Sequence, residues 1–215
     1  MLSVLLSLIF SVHGAWLSVN AGSVGNRTVT SREVIASGLI DRWLLTRGVT
    51  KVNSGDILVQ DSAAYKKQLS QVLAEWVVVL EADAFSVANL NEGEARKLAE
   101  SIQKVYANWS EWKKLDLSIT EIETFVTRRL RARQYLKYKT ESIGAAIPES
   151  EVKQYYDKNR VLFAQIPYEN IKDSIREHLN QVQSEDRFRD WFDVLKRKYK
   201  VKVLPTPSKP NDRKS

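Results

Sequence analysis

The sequence predicts a mainly α-helical fold with a small β element made from its two ends. Three observations carry that expectation. Eight glycines and five prolines punctuate 215 residues, too few for the many turns of a sandwich or barrel. Apolar residues recur at spacings of three and four along most of the chain, the period of one helical face. Stretches that alternate in character lie near the beginning and the end, at residues 16–20 and 201–204.

The first element is an apolar run. Residues 2–12 read LSVLLSLIFSV, and no Asp, Glu, Lys or Arg precedes Arg27. A run of this length falls short of the ~20 residues that span a bilayer. Val12 and Gly14 stand at the −3 and −1 positions of a cleavage point before Ala15. The pattern predicts a secretory signal peptide over 1–14, with its positive charge supplied by the α-amino group alone. A strand over 17–20, a Gly- and Asn-rich turn through Asn26 and a short strand at Thr28-Val29 are expected next.

Helices follow in order. Thr30 and Glu33 form a capping box for a helix whose face is Val34, Ile35, Leu39, Ile40, Trp43 and Leu44, stopped at Gly48. Residues 49–60 read as a connection, with a weak strand signal at 57–59. A long helix over about 62–88 carries Leu69, Val72, Leu73, Trp76, Val77, Leu80, Ala84 and Phe85 on its stripe. Val77-Val78-Val79 widens that stripe and predicts burial on more than one side. Asn91 with Glu94 opens a helix to Tyr106, facing inward with Leu98, Ile102, Val105 and Tyr106. Trp109 and Trp112 fall in a linking segment. Ser118 and Glu121 cap a helix to about Ile143, with Ile122, Phe125, Val126, Leu130 and Leu136 inward and Arg128, Arg129, Arg131 and Arg133 outward. Pro148 opens a short helix to about Asn159 as its first helical residue. Pro167 precedes the last helix, 168–199, whose apolar stripe slips at 184–186 and predicts a bend or a change of neighbour there. Residues 201–204 form an edge strand expected to pair with 17–20, because an isolated strand leaves its backbone groups unsatisfied. Residues 205–215 are polar and predict a disordered tail.

Reactive machinery is sparse in the sequence. Cysteine is absent, which excludes disulfides, thiolate metal sites and cysteine nucleophiles. Of the two histidines, His13 lies in the predicted signal and His178 on the last helix has no motif around it. Glycine-rich phosphate loops and paired-histidine metal motifs are missing. Glu92/Glu94 and Glu121/Glu123 stand at predicted helix starts, where carboxylates are stabilised in any case. The net charge of +7 favours acidic partners. The basic run 196–200 closes a helix, where the dipole also favours cations. Six tryptophans are many for this length. Trp109 and Trp112, close to Tyr106, have two readings: core packing, or an exposed aromatic surface for apolar peptide segments.

The order of elements resembles the N-terminal chaperone domain of SurA-type folding factors, which accompanies PpiC-type (parvulin) rotamases. Val19-Asn20 followed by Val29-Thr30-Ser31-Arg32-Glu33-Val34 is similar to that family's opening. Residues 69–85 are similar to its long helix, and 119–138 to the helix after its variable loop. The most specific likeness is Pro148-Glu149-Ser150-Glu151-Val152-Lys153-Gln154-Tyr155-Tyr156-Asp157-Lys158-Asn159, similar to the segment that hands over to the parvulin domain. Residues 195–204 are similar to the family's closing helix and returning strand.

Two departures are clear. The turn between Asn20 and Val29 is longer than usual, and Asn159 reaches Pro167 where a domain of about a hundred residues would sit. The resemblance implies a single SurA-like, trigger-factor-like chaperone domain over 15–204, with the helix 168–199 packing back on the N-terminal helices. It implies a periplasmic holdase with no catalytic residues, cofactor or metal, and without prolyl-isomerase activity. Its partners would be unfolded polypeptides, among them outer-membrane β-barrel precursors, with weak contact to anionic membrane and no nucleic acid. Client-binding candidates are Trp76, Tyr106, Trp109, Trp112 and Tyr135. A scaffold serving one envelope partner, or a basic helical nucleic-acid-binding protein, stays open as an alternative.

Overall fold

The computed structural model of the protein describes residues 18–49, 52–85, 92–143 and 147–205. The predicted signal segment, the Asn91 cap and all but the first residue of the predicted tail lie outside them. The described residues are mainly helical with a small three-stranded antiparallel sheet.

Strand β1 (Asn20–Val24) turns at Gly25 and Asn26 into β2 (Arg27–Thr30). The sheet order is β2-β1-β3, where β3 is Lys202–Val203. Gly22 lies opposite Val203 and Ser23 opposite Lys202, and the Leu204 N–H donates to Ala21 O at 2.9 Å. The two ends of the described chain do pair. The first strand, however, begins at Asn20 instead of ending there. Glycine and serine at 22 and 23 read as a turn, yet here the glycine permits close backbone approach. A Cβ on Gly22 would stand 2.7 Å from Lys202 O and 3.1 Å from a Leu73 methyl.

Helix α1 (Ser31–Thr46) starts at Thr30, whose hydroxyl accepts from the Glu33 N–H at 3.2 Å. Val34, Ile35, Leu39 and Ile40 are buried, while Trp43 and Leu44 are half-buried. Arg47 and Gly48 both turn left-handed after it. Residues 57–59 form no strand. A single 3-10 turn, Ser54–Asp56, leads into buried Ile57. Helix α2 (Ala63–Phe85) buries Val72, Leu73, Val77, Val78 and Val79, as its wide apolar face predicts. Its stripe stops short of the end, because Phe85 is exposed.

Helix α3 (Glu92–Tyr106) turns Ala95, Ala99, Ile102 and Tyr106 inward. Val105 stands beside that stripe and is exposed, contrary to expectation. The expected linker at 109–112 contains a further helix, α4 (Ser110–Leu115), organised by buried Trp112 and Leu115. Helix α5 (Ile119–Ile143) has both arms of its capping box. Glu121 N–H donates to Ser118 Oγ at 3.2 Å and Ser118 N–H to Glu121 Oε2 at 2.9 Å. The predicted outer face of α5 is wrong at Arg128, which is 2% exposed.

Helix α6 (Glu149–Lys158) takes Pro148 as its cap, one position before the expected place. A four-residue helix, α7 (Arg160–Phe163), joins it to α8 (Tyr168–Lys198). α8 runs unbroken through 184–186, so of the two expectations for the slip in its stripe the break in the helix is not found. Side chains there change from apolar to charged, but the backbone keeps its helical hydrogen bonds.

The sequence reading joined 15–204 in one domain. Contacts gather the described residues into two compact units. The first takes those within Met1–Leu73, Asn91–Thr127 and Lys202–Ser215, and the second those within Ala74–Leu90 and Arg128–Val201. The first holds the sheet, α1, α3 and α4. The second holds α6, α7 and α8, with the later parts of α2 and α5.

A candidate apolar binding groove

The five aromatic candidates fall in three places. Tyr106, Trp109 and Trp112 form one cluster in the first unit. Tyr106 stands 5.0 Å from the Trp112 ring and 6.0 Å from the Trp109 ring. The Tyr106 hydroxyl donates to Leu39 O at 3.2 Å, and Trp112 Nε1 donates to Gln103 Oε1 at 2.9 Å. Burial pushes the Tyr106 phenol up to about 12; Arg42 opposes that rise and Asp56 adds to it. Tyr106 and Trp112 are buried and Trp109 is half-buried. Tyr106 and Trp112 are packed into the first unit with their polar atoms hydrogen-bonded, and Trp109 is the more accessible ring of the three.

Trp76 is buried in the second unit, with the Arg128 guanidinium 5.4 Å from its ring. Arg128 Nε donates to Glu75 Oε2 at 2.9 Å, and Arg129 also reaches the Glu75 carboxylate. Glu75 is 5% exposed, so a buried carboxylate explains why Arg128 turns inward. The sequence analysis missed this pair, although Glu75 breaks the apolar run of α2. A second buried acid, Glu81, accepts from Lys198 Nζ and from the Tyr199 hydroxyl, each at 2.6 Å. Burial alone would raise its pKa, but those hydrogen bonds and the Lys198 charge outweigh it and hold the carboxyl below its ordinary range.

Tyr135 is buried too, and it leads to a different surface. Its ring lies 6.3 Å from Trp191, which is 5.2 Å from Phe188 and 6.3 Å from Phe192. Phe188 and Phe192 are half-buried and floor an open groove of about 660 Å³ along α8, with Thr140 of α5 on its wall. Glu185, Arg189, Asp193 and Lys196 stand around it. Most of these rim charges face a partner on their own helix: Lys196 Nζ lies 2.6 Å from Asp193, and Gln181 Nε2 donates to Glu185 at 3.3 Å. The groove is therefore apolar in its floor and of mixed sign at its edge. The spacing Phe188, Trp191, Phe192 is the signal for it. In the sequence these positions belong to the apolar stripe of the last helix.

His178 is exposed on α8, its ring 5.7 Å from Tyr155. Among the described residues, no group of three or more His, Asp or Glu side chains could hold a metal ion. No described helix is long and apolar enough to cross a membrane. Comparison with protein-family models, with curated proteins and with solved structures finds no match to this chain.

Proposed function

We propose that the chain is a holdase of the cell envelope, which shields apolar segments of unfolded polypeptides without isomerising their prolines. The observation that carries this reading is the open groove on α8, with Phe188 and Phe192 half-exposed in its floor. Half-exposed aromatic rings on a helix suit weak, exchangeable contacts with aliphatic and aromatic side chains. Burying such surface gains roughly 25 cal/mol per Å² before the cost of ordering the client, which keeps single contacts weak. The mixed rim adds no strong preference for a charged polymer. Two features of the sequence support the rest: the apolar run at 2–12, and the likeness of 151–159 and 195–204 to SurA-type chaperones. The short passage from α6 through α7 to α8 supports the absence of an isomerase domain at that point.

The test is suppression of aggregation of a urea-denatured outer-membrane β-barrel on dilution. The wild-type chain should keep the barrel in solution. Phe188→Ser with Phe192→Ser should weaken that effect about tenfold, the worth of one to two apolar side chains, while far-UV circular dichroism stays the same. Equal suppression by the double variant would place client binding elsewhere. No suppression by the wild-type chain would overturn the reading.

A further inference from the structure

The second unit carries an exposed apolar tip that the groove does not use. α7 reads Arg160-Val161-Leu162-Phe163. Val161 is 95% exposed and Leu162 73%, and Ile166 beyond them is 46% exposed. Adjacent aliphatic residues displayed to this degree need a reason, because nothing in their own unit gains from them.

The structure beneath them is built to hold that display. Phe163 turns inward and stacks on Tyr156 at 5.5 Å with the rings 10° apart. Tyr168 meets the edge of Tyr156 at 5.4 Å, and the Tyr156 hydroxyl donates to Ile166 O at 2.8 Å. These rings pack on the buried cluster of Ile147, Val152 and Ile175. Between Phe163 and Ile166 the backbone reverses through Ala164 at φ 50° and ψ −115°, a conformation that residues with a Cβ rarely adopt. A strained alanine over an aromatic base fixes the direction of the tip.

Charge indicates what the tip meets. Residues 158–168 include Lys158 and Arg160 and no carboxylate. Acids flank that stretch on both sides: Asp157 sits 3.3 Å from both Lys153 and Arg160, Glu169 pairs with Lys172, and Glu149 accepts from the Tyr168 hydroxyl. Lys153 Nζ lies 4.7 Å from the Tyr168 ring centroid and 5.1 Å from that of Tyr156. Aliphatic residues at the end, cations beside them and tyrosines behind match the depth profile of a bilayer interface: acyl chains, then phosphates, then the wet headgroup zone.

We infer that the α7 tip is a docking point for an anionic lipid surface, with Val161 and Leu162 entering the acyl boundary and Lys158 and Arg160 contacting phosphates. The contact is reversible, since two aliphatic side chains and two cations fall short of a stable anchor. It is separate from the groove on α8 and does not depend on client binding.

The experiment is sedimentation of the whole chain with vesicles of phosphatidylcholine, with and without phosphatidylglycerol. Binding should be about tenfold or more stronger to the anionic vesicles and should weaken with salt. Val161→Asp with Leu162→Asp should lose about tenfold or more of that binding, with helicity unchanged because both side chains are exposed. Lys158→Glu with Arg160→Glu should abolish the preference for phosphatidylglycerol. A Val161→Trp variant reads insertion directly: its added emission should shift to the blue on anionic vesicles. Unchanged binding of the aspartate variant, no binding of the wild-type chain, or unmoved emission of the tryptophan variant would each overturn the inference. Aggregation suppression by the wild-type chain, measured without lipid, reports on the groove alone.

Discussion

The two units use their apolar residues in opposite ways. In the first, α1 buries eight of its sixteen residues, and the ring pair Tyr106–Trp112 is closed off from water. In the second, α8 buries only Ile175 and Leu195 out of thirty-one. The aromatic residues of α8 are left partly covered, and two buried carboxylates of the unit are held by cations: Glu75 by Arg128, and Glu81 by Lys198 with Tyr199. The first unit is arranged to hold its shape. The second carries the two surfaces proposed above to meet other molecules, the groove and the α7 tip. Sparse burial along α8 is what leaves apolar surface available there, while the buried pair Arg128–Glu75 lies elsewhere in the unit, between α5 and α2.

The contrast can be broken most strongly from the first unit. Trp112→Ala should cost about 3–5 kcal/mol, the range for emptying a buried tryptophan site, and should lower the denaturant midpoint accordingly. Phe192→Ala, the matching change in the second unit, should cost about 1–2 kcal/mol because that ring is only partly covered. Similar losses for the two would show that the groove is core after all. Next in size is Glu75→Ala, which removes the carboxylate facing buried Arg128 and should cost about 3 kcal/mol. Glu75→Gln should recover part of that. A neutral Glu75→Ala would show that cations do not hold the second unit together. Gly22→Val should follow at about 1–3 kcal/mol, since its side chain would collide with Lys202 O and separate β3 from β1. Hydrogen exchange should then rise at the Leu204 amide, which donates to Ala21, before it rises in α3.

The sequence analysis reached the helical class, most helix boundaries and the pairing of the chain ends, because these follow from periodicity and capping chemistry. Thr30/Glu33 and Ser118/Glu121 are local signals, and local signals survive folding intact. Some failures are local, such as the strand signal at 57–59 and the linker that is α4, but the larger ones are non-local. Gly22 looked like a turn until Lys202 stood beside it. Arg128 looked like an outward cation because its partner, Glu75, is 53 residues away in sequence. The aromatic candidates show the same limit. Counting tryptophans located Trp76, Trp109 and Trp112, but burial depends on what covers a ring, and no spacing states that. Phe188 and Phe192 lay on a stripe that resembled core, and α8 is too sparsely covered to bury them. The α7 tip was read as part of a connection because four residues give no periodicity.

The smallest effect sharpens the contrast by pH. The Glu81 carboxyl is held below its ordinary value of 4.5 in the folded chain, against the effect of its own burial, by hydrogen bonds from Lys198 and Tyr199. A carboxylate with a depressed folded pKa stabilises above its unfolded pKa, and that contribution is lost as pH falls through the folded value. Stability from this site should therefore be complete at neutral pH and fade below about pH 4.5. Its size is about 1 kcal/mol, because Lys198 is half-exposed and screened. Glu81→Gln should cost that amount at pH 7 and flatten the acid limb of the stability curve. The loss should also be local. Lys198 and Tyr199 close α8, so amide exchange near the end of that helix should quicken in mild acid while α1 and α3 stay protected. Simultaneous loosening of α1 and α8 would mean that the two units melt as one, and the division of labour between them would then have no energetic basis.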